Sequence, residues 1–202
     1  MRTKIYDRDY FDRWYRSPEH RVGSSAALTR KVALAVATAE YYLGRPLKTV
    51  LDIGCGEAPW RSALLRLRPK VTYRGLDSSE YVVSRYGRSR NIGLAGFGDL
   101  EHLRFDASVD LLVCSDLLHY VGDAELRRGL AGFPELCHGL AFIEAFSSDD
   151  APGGDIHGFV PRTAARYRRE FRRAGLVACG SHCYLSPLSN ASVALLEIQP
   201  LR

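Results

Sequence analysis

Short apolar runs alternate along the chain with longer stretches whose apolar residues recur at helical spacing. Ser24 or Ser25 caps a helix with Leu28, Val32, Ala35, Val36, Ala39 and Leu43 on one face, and Gly44-Arg-Pro46 stops it. Thr49 to Ile53 then reads as a strand, followed by a glycine turn and a helix from about Trp60. Val71 to Asp77 is a second strand, with a helix from about Ser79. Ile92 to Phe97 is a weak third strand and Val109 to Ser115 a clear fourth. Asp123 is placed to cap the next helix, with Leu126 and Leu130 inward and Gly132 and Pro134 disturbing its end. Gly139 to Phe146 is the fifth strand, and Tyr167, Phe171 and Ala174 form the core stripe of a helix closed by Gly175. Leu176 to Leu185 and Ser192 to Ile198 are the last two strands, with Pro187 and Asn190 marking the turn between them. The pattern predicts an α/β fold: a doubly wound, mostly parallel seven-stranded sheet with helices on both faces.

The first strand ends in the most informative stretch, Asp52-Ile-Gly54-Cys55-Gly56-Glu57-Ala58. Glycines there let the backbone approach a ligand at the mouth of a parallel sheet. Asp77, 21 residues after Gly56, ends the second strand where a nucleotide-binding unit places its ribose carboxylate. A dinucleotide site wants a third glycine at position 59, which is Pro59, and Glu57 would repel a pyrophosphate. A cationic nucleoside meets neither objection, which disfavours a nicotinamide reductase.

These residues resemble the class I (Rossmann-like) S-adenosylmethionine-dependent methyltransferase family. Asp52 to Ala58 resembles its first motif, with Ala58 where glycine is usual, and Asp77 resembles its ribose acid. Gly98-Asp99-Leu100 resembles the adenine-contacting motif, and Val109 to Val121 the strand-four motif. The resemblance covers roughly residues 45–200. It implies an antiparallel last strand and S-adenosylmethionine as cofactor. On that reading Asp52 and the turn Gly54, Cys55 and Gly56 order the ligand's methionine end. Asp77 takes the ribose hydroxyls, with Ser78 beside it as the competing helix cap. Asp99 or the Leu100 amide reads the adenine edge. Ser115, Leu117 and Leu118 wall the pocket, and Tyr120 faces the acceptor.

Composition narrows the class further. The 202 residues are 46% hydrophobic and 25% charged, as expected of one domain, with residues 1–44 as an aromatic cap segment and helix before a core over 45–202. No apolar run approaches the ~18 residues of a membrane span. Five scattered cysteines read as reduced thiols of a cytoplasmic protein. Cys179, His182 and Cys183 lack a second ligand pair for zinc, and Asp149, Asp150 and Asp155 read as turn formers, so no metal is expected. The net charge is +5, and Arg162, Arg166, Arg168, Arg169, Arg172 and Arg173 cluster on one helix, read as its solvated back.

The expected reaction is methyl transfer to a small-molecule acceptor. Methylation of RNA or another nucleic acid is the alternative, although Ser115-Asp-Leu-Leu stands where amine-methylating DNA enzymes carry Asn/Asp-Pro-Pro-Tyr/Phe. A binding-only protein with the same pocket is a further reading. A general base, if used, is His119 or His157. The N-terminal aromatic segment is expected to close over the pocket, with Tyr10 and Trp14, at i and i+4, facing the acceptor.

Overall fold

A computed structural model describes residues 4–20, 24–151 and 153–189. Its seven strands are β1 (Thr49–Ile53), β2 (Thr72–Asp77), β3 (Ile92–Leu94), β4 (Val109–Ser115), β5 (Cys137–Glu144), β6 (Val177–Gly180) and β7 (Cys183–Leu185). They form one sheet in the order β3-β2-β1-β4-β5-β7-β6. The first five strands pair in parallel, while β7 runs antiparallel to both β5 and β6. Strand order reverses between β1 and β4, which opens a crevice at the carboxyl ends of the strands.

Alternation along the strands sorts side chains onto two faces. Val50, Leu111, Val113, Leu140 and Phe142 pack against α2 (Ser25–Leu43), α3 (Pro59–Leu67) and α4 (Glu80–Arg90). Leu51, Leu112, Cys114, Ala141 and Ile143 pack against α5 (Asp123–Leu136) and α6 (Ala164–Arg173). A four-residue α1 (Arg8–Phe11) runs into a π-helical turn, Asp12–Arg16, that precedes α2. Ser24 caps α2 through Ala27 N at 3.1 Å, and Gly44 closes it with φ +64°. Among the described residues no helix is long and apolar enough to cross a membrane.

The run from Leu176 to Leu185 is two strands rather than one. Gly180, Ser181 and His182 all take positive φ (92°, 50° and 65°) and reverse the chain into the β6–β7 hairpin. The expected strand Ser192 to Ile198 lies outside the described residues. Gly122, not Asp123, caps α5, and the helix runs through Pro134 to Leu136. Asp123 is instead drawn to two arginines, Arg162 at 2.8 Å and Arg166 at 2.5 Å.

Helix α5 lies hard against the 3₁₀ turn Phe97–Glu101. A side chain at Gly132 would collide with the Leu100 carbonyl, and one at Gly129 with Phe97. Gly132→Ala is therefore expected to destabilise the protein by ~1–3 kcal/mol through overpacking. Helix propensity alone predicts a gain of ~1 kcal/mol. Gly153→Ala, with open space around it, should stay within ~0.5 kcal/mol. Denaturant melts of the two variants check the sign.

Candidate functional site

The carboxyl ends of the central strands open on a cavity of about 1420 Å³. Single-ligand pockets run to roughly 300–1,000 Å³, so this one has room for a nucleoside and a second molecule. One wall is the turn after β1. Gly54 N and Cys55 N both donate to the Leu76 carbonyl, at 2.8 and 3.1 Å, which pins the turn to β2. Gly54 has φ +65°, and a Cβ there would stand 2.7 Å from a Leu117 methyl. Gly56 has φ +52°, and the Tyr15 hydroxyl fills the place of its missing side chain. Ala58 keeps the left-handed backbone of the glycine it replaces, with φ +57°. Cys55 lies buried, its Sγ against Gly75.

Asp77 stands at the end of β2 with both oxygens engaged. Oδ2 accepts from Gly56 N at 2.7 Å and Oδ1 from Ser79 N at 2.8 Å. Each carboxylate oxygen keeps a further lone pair for a ligand. Burial raises its pKa, while those two amide bonds act against the rise. Neither Asp77 nor Ser78 caps α4; Ser79 does, through Val82 N at 3.2 Å, leaving Ser78 exposed at the cavity lip. Asp52 is buried beneath the turn and accepts from the Tyr73 hydroxyl at 2.7 Å. Burial pushes its carboxyl up to about 7, and the charge of Asp77 adds to the rise.

Asp99 and Leu100 are not brought to this wall. Asp99 is exposed and turns its carboxylate back to Gly96 N at 2.8 Å, while Leu100 is fully buried under α5. The 3₁₀ turn rotates them away and presents Gly96 and Phe97 to the cavity instead.

The opposite wall is the segment after β4. Ser115, Asp116, Leu117, His119 and Tyr120 all line the cavity. Ser115 donates to Glu144 Oε2 at 2.6 Å, and Lys31 holds the same oxygen at 2.5 Å. Asp116 takes φ +65° and stays exposed to the cavity. His119 is buried within a ring cluster, its centroid 4.2 Å from Tyr120, 5.2 Å from Phe146 and 5.7 Å from Phe159. Burial pulls its pKa down to about 4, and the nearby Lys4 charge adds to the fall. The imidazole is thus neutral at pH 7, and its Nδ1 is buried without a partner. The tight 3₁₀ turn Leu118–Tyr120 brings both His119 and Tyr120 to the cavity. His157 is exposed and lies outside the cavity lining, its backbone N–H bonded to Asp155 at 2.9 Å.

The N-terminal segment covers the cavity. Tyr6, Tyr10, Phe11, Trp14 and Tyr15 line it from that side. Three tethers reach different elements: Arg16 to Glu57 at 2.5 Å, the Tyr6 carbonyl to Ser79 Oγ at 2.5 Å, and Lys4 to Asp155 at 2.7 Å.

Arg162 is the residue that sequence reasoning misplaced furthest. Counted on the solvated back of α6, it precedes that helix and is buried, donating to the carbonyls of Leu118 (3.0 Å) and Val121 and to Asp123 at 2.8 Å. It grips the turn that carries His119 and Tyr120. Its only advance signal was its place just before the helix cap, Thr163. The loop acids go separate ways. Asp150 accepts from Ser147 N and Oγ, at 2.7 and 2.8 Å, and Asp155 holds Lys4. Among the described residues no three candidate metal ligands come together.

Residues 50–138 match a family model described as a methyltransferase domain. No curated protein matches the chain in sequence. Solved structures share the fold. The sugar N-methyltransferase KedS8 from Streptoalloteichus sp ATCC 53650 superposes with a TM-score of 0.62 at 15% identity, over 87% of this chain and 86% of its own. DesVI from Streptomyces venezuelae gives 0.60 at 14%, over 80% and 91%. NcsB1, an O-methyltransferase from neocarzinostatin biosynthesis in complex with S-adenosyl-L-homocysteine and 1,4-dihydroxy-2-naphthoic acid, gives 0.54 at 19%, over 80% of this chain and 54% of its own. The match from β1 to the start of β5, with this sheet order around it, supports an S-adenosylmethionine-dependent methyltransferase and shows the fold of these solved structures.

Proposed function

We propose that the chain, as one domain closed by its N-terminal segment, methylates a small-molecule acceptor in a reducing, cytoplasmic setting. The observation that carries this is one cavity with two unlike walls: a glycine turn with acids on one side, an aromatic cover on the other. The glycine cradle at 54–56 and the buried Asp52 and Asp77 fit S-adenosylmethionine. That group supplies an electrophilic methyl carbon when bound. Asp77 would hold the ribose hydroxyls, Asp52 and the turn the methionine end, and Gly96 with Phe97 the adenine. Tyr10, Trp14 and Tyr120 would seat the acceptor and exclude water, and His119 Nδ1 would accept a hydrogen bond or proton from it. A nucleic-acid acceptor fits less well. Of the arginine cluster, Arg162 is buried, Arg166 pairs with Asp123 and Arg173 with Glu170.

Asp77→Ala should weaken S-adenosylhomocysteine binding by ~1.5–3 kcal/mol, the scale of hydrogen bonds to a charged group. Calorimetry with equal affinities for wild type and a still-folded variant would remove the ribose assignment.

A cation bound beside Asp52 favours its ionised form, so the complex binds fewer protons there than the free protein. Affinity for S-adenosylmethionine should therefore climb from roughly pH 5 and level off above the carboxyl's pKa of about 7. Asp52→Asn should flatten that slope, and a titration series in matched buffers reads it.

Once an acceptor is in hand, His119→Ala should lower turnover at saturating cofactor by ~10²-fold or more. His157→Ala should leave it within about threefold, since that ring is exposed away from the cavity. Losses under tenfold for both would mean that alignment alone carries the reaction.

A further inference from the structure

Lys4 is an unusual lysine. Its side chain is only 11% exposed and reaches into the cavity. The ammonium stands 3.5 Å from the Tyr120 ring centroid and 5.3 Å from those of both Tyr6 and Tyr10. Asp155 Oδ2 lies 2.7 Å away as an ion-pair partner, and Nζ is buried with no other acceptor. Three ring faces and one carboxylate surround the cation.

That environment suits lysine poorly. An ammonium with three N–H donors loses solvation when it is buried without aligned acceptors. An amine whose hydrogens are replaced by carbon has fewer donors to leave unpaired, and its alkyl groups pack on the rings. The cage also borders the reacting side of the cavity. Tyr120 belongs to the turn after β4 and stacks beside His119, whose buried Nδ1 lacks a partner. Burial lowers the Lys4 pKa against the pull of Asp155 and Asp116. Desolvation would act on an amine bound there in the same sense, with the carboxylates opposing it.

We propose that the Tyr6–Tyr10–Tyr120 cage is the acceptor subsite, that it takes an alkylamine, and that the Lys4 side chain is an internal occupant which the acceptor displaces. This rests on the methyltransferase reading above. The amine lone pair forms the new N–C bond as the S–C bond of S-adenosylmethionine breaks, leaving the neutral thioether. The positive charge passes from sulfur to nitrogen, between the ring faces and Asp155. A secondary amine then releases its proton to solvent.

Tetramethylammonium chloride is the probe, with tert-butanol as a neutral control of similar shape. Both are titrated by calorimetry into the full chain saturated with S-adenosylhomocysteine at fixed ionic strength. Lys4→Met should bind tetramethylammonium at least tenfold more tightly than wild type, with no such gain for tert-butanol. Adding Tyr120→Leu or Asp155→Asn to that variant should lose most of the gain. Lys4→Gln gives the same comparison should the methionine variant fail to fold. Equal tetramethylammonium affinity in wild type and the Lys4 variants, or an equal gain for tert-butanol, would overturn the cage and leave Lys4 as a structural clasp. Failure of S-adenosylhomocysteine itself to bind wild type would instead overturn the assignment of the cofactor side.

Discussion

The carboxylate of Asp77 is the joint on which the cofactor side depends. One oxygen holds the amide of Gly56 and the other that of Ser79. The first bond fixes the turn after β1; the second fixes the start of α4. Ser79 in turn donates to the carbonyl of Tyr6, so the N-terminal cover is registered against the same point. A residue placed to meet a ligand thus also sets the geometry in which the ligand is met. Its burial raises the free energy of its charge, and only fixed amide dipoles offset that.

The acceptor side has its own joint in Arg162. Its guanidinium takes the carbonyl of Val121 and that of Leu118, which also accepts from Val121 N at 3.2 Å, and ties them to Asp123 at the start of α5. The loop after β5 is then held by Val160 N on the His119 carbonyl at 2.7 Å. The unbonded Nδ1 of His119 therefore sits on a rigid base, in a cluster of rings that keeps it neutral.

Much of the frame was legible because it rests on local rules. Strands β1, β2 and β4 are apolar runs ended by glycine or acid, and Ser24 and Gly44 bracket α2 by cap chemistry. The ribose acid follows from spacing along one βαβ unit. What was not legible depended on distant partners. Asp99 and Leu100 sit beside a motif-like glycine, but glycines at 129 and 132 let α5 come close enough to bury Leu100 and leave Asp99 capping its own turn. Gly180 lies inside the run Leu176 to Leu185 that reads as one strand, and it is the start of a reversal. His157 and His119 are the same residue type in two loops near one mouth; the ring cluster that buries His119 at the cavity takes Phe146 and Phe159 from the other loop, a contact that neither loop's sequence shows on its own. Lys4 gave no signal at all, since its three tyrosines and its acid come from three segments far apart in the chain.

The Tyr15 hydroxyl in the gap above Gly56 couples the cover to the turn. That hydroxyl and a ligand lying on the turn compete for one volume, so the ring must shift before the turn is filled. Because Arg16, Tyr6 and Lys4 fasten the cover to three separate elements, release at one point leaves two in place. Filling the turn and moving the cover are then linked, so whatever stabilises one state of the segment shifts the affinity at the turn by the same free energy.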